Sequence, residues 1–150
     1  MSILSEDNQT KIKQLIISSN LISQTDLQVL EKGAADAKIP FLSYIVQEGK
    51  VTAEQLTKLT ADVLGLPYVN LVASKISPAV LNLLPLETAE RFMAVPLGEM
   101  QHRLAVAMLD PNNVQAVDFL ANKIGKALKV YMASEEGIRH VLEMYNTNLQ

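Results

Sequence analysis

The stretch LIISSNLISQTDLQVL, which begins at Leu15, is matched 29 residues later by YIVQEGKVTAEQLTKL, which begins at Tyr44. At that offset Ile16 meets Ile45, Ile17 meets Val46, Asn20 meets Gly49, Ile22 meets Val51, Ser23 meets Thr52, Leu27 meets Leu56 and Leu30 meets Leu59. The same chemistry repeated at one offset demands the same local structure twice. Asn20 and Gly49 are the residue types that most readily take a positive φ. Each copy therefore predicts a helix, a short left-handed turn, an apolar staple residue and a capped second helix. Two copies are too few for a solenoid. Two helical hairpins forming a four-helix lobe, apolar faces inward, are the simpler outcome.

Punctuation along the chain sets the boundaries. Apolar residues at Ile12, Leu15 and Ile16 predict a first helix from Leu4 to Ser19. Ser23, with Asp26 at the third position, caps a second that runs to about Ala37. Pro40 opens a third through Val46, and Gly49 stops it. Thr52 and Gln55 form a capping box for a fourth helix, which carries Leu56, Leu59 and Val63.

The texture changes at LGLPYVNL, Leu64 to Leu71. Gly65 ends the helix, Pro67 prevents its restart, and YVNL is expected as a short strand. SPAVLNLLP predicts a short helix capped by Ser77, and ETAERF another helical turn. MAVPLGEM and RLAVAML predict adjacent strands with GEMQH as their connection. VQAVDFLANKIG is an amphipathic helix stopped by Gly125, ALKVYMA a third strand, and SEEGIRHVLEMYN a final helix capped by Ser134. RLAVAML is apolar on both faces, which places it centrally in its sheet. The expected fold class is thus α+β. A helical lobe over 1–65 precedes a small α/β lobe over 66–150, whose sheet has about three to four strands.

Composition excludes several functions. With no cysteine, disulfides, thiol chemistry and thiolate metal sites are ruled out. A net charge of −3 argues against a dedicated nucleic-acid surface. The start, MSILSEDNQTKIKQ, lacks the pattern of a signal peptide, and no run is long and apolar enough to span a membrane. The expectation is a cytoplasmic protein without membrane insertion.

Candidate chemistry is sparse. Asp110 ends the strand RLAVAML and precedes Pro111, Asn112 and Asn113. A general base or metal ligand needs convergent partners, and no second carboxylate or histidine accompanies Asp110 at a recognisable spacing. The favoured reading is a strand end followed by a helix cap at Asn112 or Asn113. His102 falls in a turn and His140 mid-helix, so they form no ligand pair. GKALK at Gly125 fails as a phosphate loop, since Leu120 replaces the first glycine and Ala127 follows the lysine. Lys11 and Lys13 read first as a solvated helix face, and Phe41, Tyr44 and Tyr68 as core fillers.

The doubled helical unit, LGLPYVNL, ISPAVLNLLPLETAERFMAVPLG and RLAVAMLDPNNVQAVDFLANKIG together resemble one family. It is the N-terminal domain of type II secretion and type IV pilus assembly ATPases, GspE/PilB type and MshEN-like, and the likeness runs from about Leu4 to Tyr145. The resemblance implies a non-catalytic regulatory and docking module ahead of a hexameric motor ATPase domain. It would contact inner-membrane platform or assembly proteins, peripheral to the inner membrane at its cytoplasmic face.

In one branch of the family the doubled unit binds cyclic di-GMP through an Arg-Leu-Gly start, a turn glycine and a far glutamine in each repeat. Carried onto this chain, the positions are Lys11, Ile12 and Lys13, then Asn20 and Ala34, in the first copy. In the second they are Pro40, Phe41 and Leu42, then Gly49 and Val63. Gly49 and the apolar residues Leu21, Ile22, Leu27, Val51 and Leu56 fit, and the polar groups do not. Lysine lacks the planar fork of arginine. The expectation is therefore weak or absent cyclic di-GMP binding, no other cofactor in these residues, and a helical lobe kept for protein contacts. The alternatives are a cyclic di-GMP sensor in which Lys11, Lys13 and Asn20 join the apolar set, and, from another class, a stand-alone enzyme using Asp110.

Overall fold

The structure, a computed structural model, describes residues 5–148. The chain divides into two compact units, Met1–Gly65 and Leu66–Gln150.

The first unit is helical. It comprises α1 (Glu6–Ser18), α2 (Gln24–Ala37), α3 (Phe41–Gln47) and α4 (Ala53–Leu64). Leu4, the expected start of α1, lies outside the described residues; Ser5 caps the helix, accepting from the Asn8 amide. The repeat is realised bond for bond. Asn20 and Gly49 have φ of 60° and 74°. The Asn20 amide donates to Ile17 and the Leu21 amide to Ile16, while 29 residues on Gly49 donates to Val46 and Lys50 to Ile45. These paired bonds satisfy the carbonyls that a helix end leaves open. The staple and cap follow in register. Ile22 and Val51 are buried, and the Ser23 and Thr52 hydroxyls accept from Asp26 and Gln55 amides. Thr52 and Gln55 complete a reciprocal capping box.

α1 packs on α4 and α2 on α3, around a core of Ile12, Ile16, Ile22, Leu27, Leu30, Ile45, Val51 and Leu59. Gly33, inside α2, is explained by packing: a Cβ there would lie 2.6 Å from the Tyr44 hydroxyl.

The second unit contains α5 (Pro78–Leu81), α6 (Leu86–Phe92), β1 (Ala94–Met100), β2 (Arg103–Met108), α7 (Val114–Ile124), β3 (Ala127–Met132) and α8 (Glu135–Asn148). Its sheet has the order β1-β2-β3, antiparallel then parallel, so β2 is central. Leu104 to Met108 are buried without a break, as a strand covered on both faces must be. α5, α6 and α8 pack on β1, and α7 on β3.

Three local expectations are corrected. YVNL forms no full strand; Tyr68 makes an isolated parallel bridge to Met132, and Pro67 before it has no amide to donate to a ladder. The β1–β2 connection is tighter than GEMQH. Gly98, Glu99 and Met100 pair with Ala105, Leu104 and Arg103, leaving Gln101 (φ 54°) and His102 as the turn. Met93 is not in a strand; it closes α6 in a left-handed conformation, φ 47°.

Tyr145 ties α8 to the segment before α6: its hydroxyl donates to the Leu84 carbonyl at 2.8 Å in a buried setting. Burial pushes the phenol well above the usual tyrosine range. A raised folded-state pKa leaves stability unaffected below about pH 10, where both states keep the proton. Above it the unfolded chain ionises first, so stability falls as pH rises. Tyr145→Phe should lower stability by about 1–2 kcal/mol at neutral pH, since Leu84 loses its donor. The same variant should flatten the alkaline decline. Chemical denaturation of both proteins at pH 7 and pH 11 checks this.

Candidate functional site

The residues that the cyclic di-GMP alternative would use all lie in the first unit, and the structure gives most of them internal work. Ile22, Leu27 and Val51 are buried at 5%, 6% and 3% exposure, within the helical core. Leu21 and Leu56 pack half-buried against it. Asn20 and Gly49 are exposed turn residues whose backbone conformation accounts for their identity.

The two lysines differ. Lys11 is exposed and pairs at 3.6 Å with Asp7 one turn earlier, a contact of little energetic consequence in water. Lys13 is held from two sides. Its Nζ lies 2.9 Å from the Glu31 carboxylate on α2 and 4.8 Å from the centre of the Phe41 ring on α3. That cation is a clasp joining three helices. The Glu31 carboxylate offsets the positive charge that a phosphate would meet there.

All the chain's arginines, Arg91, Arg103 and Arg139, follow residue 65. The helical unit therefore has no guanidinium to grip a guanine edge or a phosphate in two-point fashion.

Asp110 sits where the sequence put it, just beyond β2. Its backbone carbonyl accepts from the Asn113 amide at 3.2 Å. Asn113, rather than Asn112, caps α7 by accepting from the Ala116 amide at 3.1 Å. One Asp110 carboxylate oxygen, Oδ1, is buried without a hydrogen-bond partner. No cluster of three or more metal-ligating side chains occurs among the described residues.

The histidines are likewise apart. His140 donates from Nε2 to the Ser74 carbonyl at 3.1 Å, fastening α8 to the loop before α5, and His102 lies in the β1–β2 turn. The polar side chains of Glu135, Glu136, Arg139, His140 and Glu143 line an open surface depression with Val72. Arg139 there is paired with Glu135 at 2.8 Å. Sequence reasoning did not anticipate the surface aromatic pair Phe92 and Phe119, whose ring centres are 5.2 Å apart. Phe119 is 45% exposed and Arg91 lies over the Phe92 ring. Contact between the end of α6 and α7 makes the pair, and nothing in a linear pattern reports it.

The MshEN domain family model matches residues 64–148. The chain is 30% identical, over 135 residues, to the type IV pilus assembly ATPase PilB of Myxococcus xanthus. It is 35% identical, over 74 residues, to the type IV pilus assembly ATPase PilB of Thermus thermophilus, covering 49% of this chain and 8% of that one. The Myxococcus alignment takes in 90% of this chain but 24% of the relative, so the chain spans about a quarter of that protein's length. Among solved structures, MshE with cdg has a TM-score of 0.65 at 21% identity, covering 89% of this chain and 97% of that one. The N-terminal domain of XpsE has a TM-score of 0.58 at 23% identity, covering 95% and 97%. At these identities the likeness establishes the fold, an α+β arrangement of the kind found in both.

The local chemistry yields a contrast between neighbours. Asn113→Ala removes the α7 cap and should lower stability by about 1 kcal/mol. Asp110→Asn removes a charge whose buried oxygen has no partner, and should leave stability within about 0.5 kcal/mol of the parent or raise it. Thermal and urea denaturation of the two variants would show the opposite order if Asp110 held an essential contact.

Proposed function

The chain belongs to the MshEN domain family, and on that premise we propose that it is a non-catalytic regulatory and docking domain of a type IV pilus assembly or type II secretion motor ATPase. The motor domain of the same polypeptide would be one partner, and inner-membrane platform or assembly proteins at the cytoplasmic face the others. The similarity to PilB over a quarter-length segment supports the first part, since the rest of such a protein would supply the nucleotide hydrolysis. No helix among the described residues is long and apolar enough to cross a membrane, so attachment would run through partners.

The observation that carries the reading is the state of the helical unit. Its left-handed turns, staples and caps are complete in both copies, while the groups that would recognise a nucleotide are missing or engaged elsewhere. A scaffold kept without its ligand contacts suits protein docking. Excess of the isolated chain should compete with the full-length motor for its platform. Expression in trans is thus expected to reduce pilus assembly or secretion while the ATP hydrolysis rate of the purified motor stays unchanged. No reduction at tenfold molar excess would count against docking.

One observation favours a second reading. MshE, solved with cdg, shares the fold, so cyclic di-GMP is the small ligand to test here. Lys11 and Lys13 would then contact phosphate beside Asn20 and Gly49, above Leu21, Ile22, Leu27, Val51 and Leu56. Calorimetric titration with cyclic di-GMP should give no saturable heat below about 100 μM, equivalent to less than about 5.5 kcal/mol of binding. Saturation at low micromolar concentration that is lost in Lys13→Ala would establish the sensor instead.

A further inference from the structure

The sheet of the second unit has two edges, and they are finished differently. β1 carries Pro96 and a register shift between Pro96 and Gly98, two devices that interrupt a ladder, and α5, α6 and α8 pack on that strand. β3 has neither device. Its sequence, ALKVYM, is rich in residues that suit an extended, half-buried backbone.

The direction of each backbone group on β3 follows from the bonds it makes. In a parallel pair, alternate residues turn both N–H and C=O toward one neighbour. Ala133 donates inward to the Met108 carbonyl at 3.2 Å. Met132 faces the other way, donating to Pro67 at 2.8 Å and accepting from the Val69 amide at 3.0 Å. Counting back in steps of two, Val130 and Leu128 also face outward. Among the described residues neither makes a backbone hydrogen bond beyond the sheet. Pro67–Val69 therefore occupies only the far end of the edge and leaves the ladder open along Leu128 and Val130.

Charge is the second observation. The chain is net negative, at −3, yet Lys123, Lys126 and Lys129 gather around the start of β3, and Arg103 sits in register with Ala127. Lys126 pairs with Glu99. Arg103, Lys123 and Lys129 form no ion pair among the described residues. Arg103, Ala127 and Lys129 share one face of the sheet by register.

We propose that the open edge of β3 docks an extended, acidic segment of a protein partner. That segment would be added as a further strand along Leu128 and Val130, its carboxylates lying beside Arg103, Lys123 and Lys129. This rests on the docking reading above and specifies its surface. Charge decides the occupant. A second copy pairing β3 with β3 would set like charges against each other and lose stability, whereas an acidic strand neutralises them. Main-chain bonds supply affinity in such strand addition, and the flanking cations supply selection.

The test uses the full chain and a blocked eight-residue peptide of alternating Glu and Val, with alternating Lys and Val as control. In the free protein the Leu128 and Val130 amides should exchange fast, and the inward amides of Lys129 and Tyr131 slowly. Saturating acidic peptide should slow Leu128 and Val130 at least about tenfold. Binding should weaken with salt, and the lysine peptide should have no effect. Val130→Pro should abolish binding by removing one ladder donor. Lys129→Glu, which leaves the backbone intact, should weaken the acidic peptide and admit the lysine peptide. Absence of protection at Leu128 and Val130, equal binding of both peptides, or self-association through this edge would each overturn the proposal. A positive cyclic di-GMP titration would overturn the docking reading and leave the peptide result as it stands, so the two failures are distinguishable.

Discussion

The second unit is organised by the burial of one strand. Leu104 through Met108 lie out of water on both faces, and every peptide group in that stretch needs a partner because water cannot reach it. β2 must therefore be flanked on both sides. The two-residue turn at Gln101 and His102 supplies β1 on one side; the α7 crossover supplies β3, in parallel, on the other. Met93, Asn113 and Gly125, which close α6 and bound α7, are the points where the chain turns to meet that requirement. Among the described residues the sheet has three strands, and beyond β3 there is only the isolated bridge of Tyr68 to Met132.

Most of this architecture was legible in the sequence, for identifiable reasons. Left-handed stops at Gly49, Gly65 and Gly125, caps at Ser23, Thr52 and Ser77, and the apolar run of β2 are local signals, and local physics was sufficient to interpret them. The failures came where two segments had to meet. YVNL has strand-forming residues, but a strand exists only where a partner runs beside it, and only Tyr68 finds one. Met93 looks like the first residue of β1, yet the end of α6 needs a left-handed residue there. The contacts of Gly33 with Tyr44, of Tyr145 with Leu84 and of Phe92 with Phe119 are tertiary and leave no periodic trace.

The candidate site was legible in a different sense. Residue types alone argued against chemistry at Asp110, whose buried Oδ1 makes no hydrogen bond among the described residues. What the linear pattern could not give was the second engagement of Lys13. A lysine on a polar helix face looks solvated until Glu31 and Phe41, 18 and 28 positions away in sequence, are brought beside it. A cation already paired with a carboxylate is a weaker starting point for phosphate recognition, because the neighbouring negative charge offsets its attraction for the anion.

The twin turns at Asn20 and Gly49 carry a consequence for how such a domain changes over generations. Folding of the helical unit depends on Ile16, Ile45, Ile22 and Val51, which are out of sight of any visitor, and on backbone conformation at two solvent-facing corners. Surface side chains near those corners contribute little to that account. Selection for a small effector can lapse there and the polar groups can drift, while the framework persists and stays free to be recruited for another role.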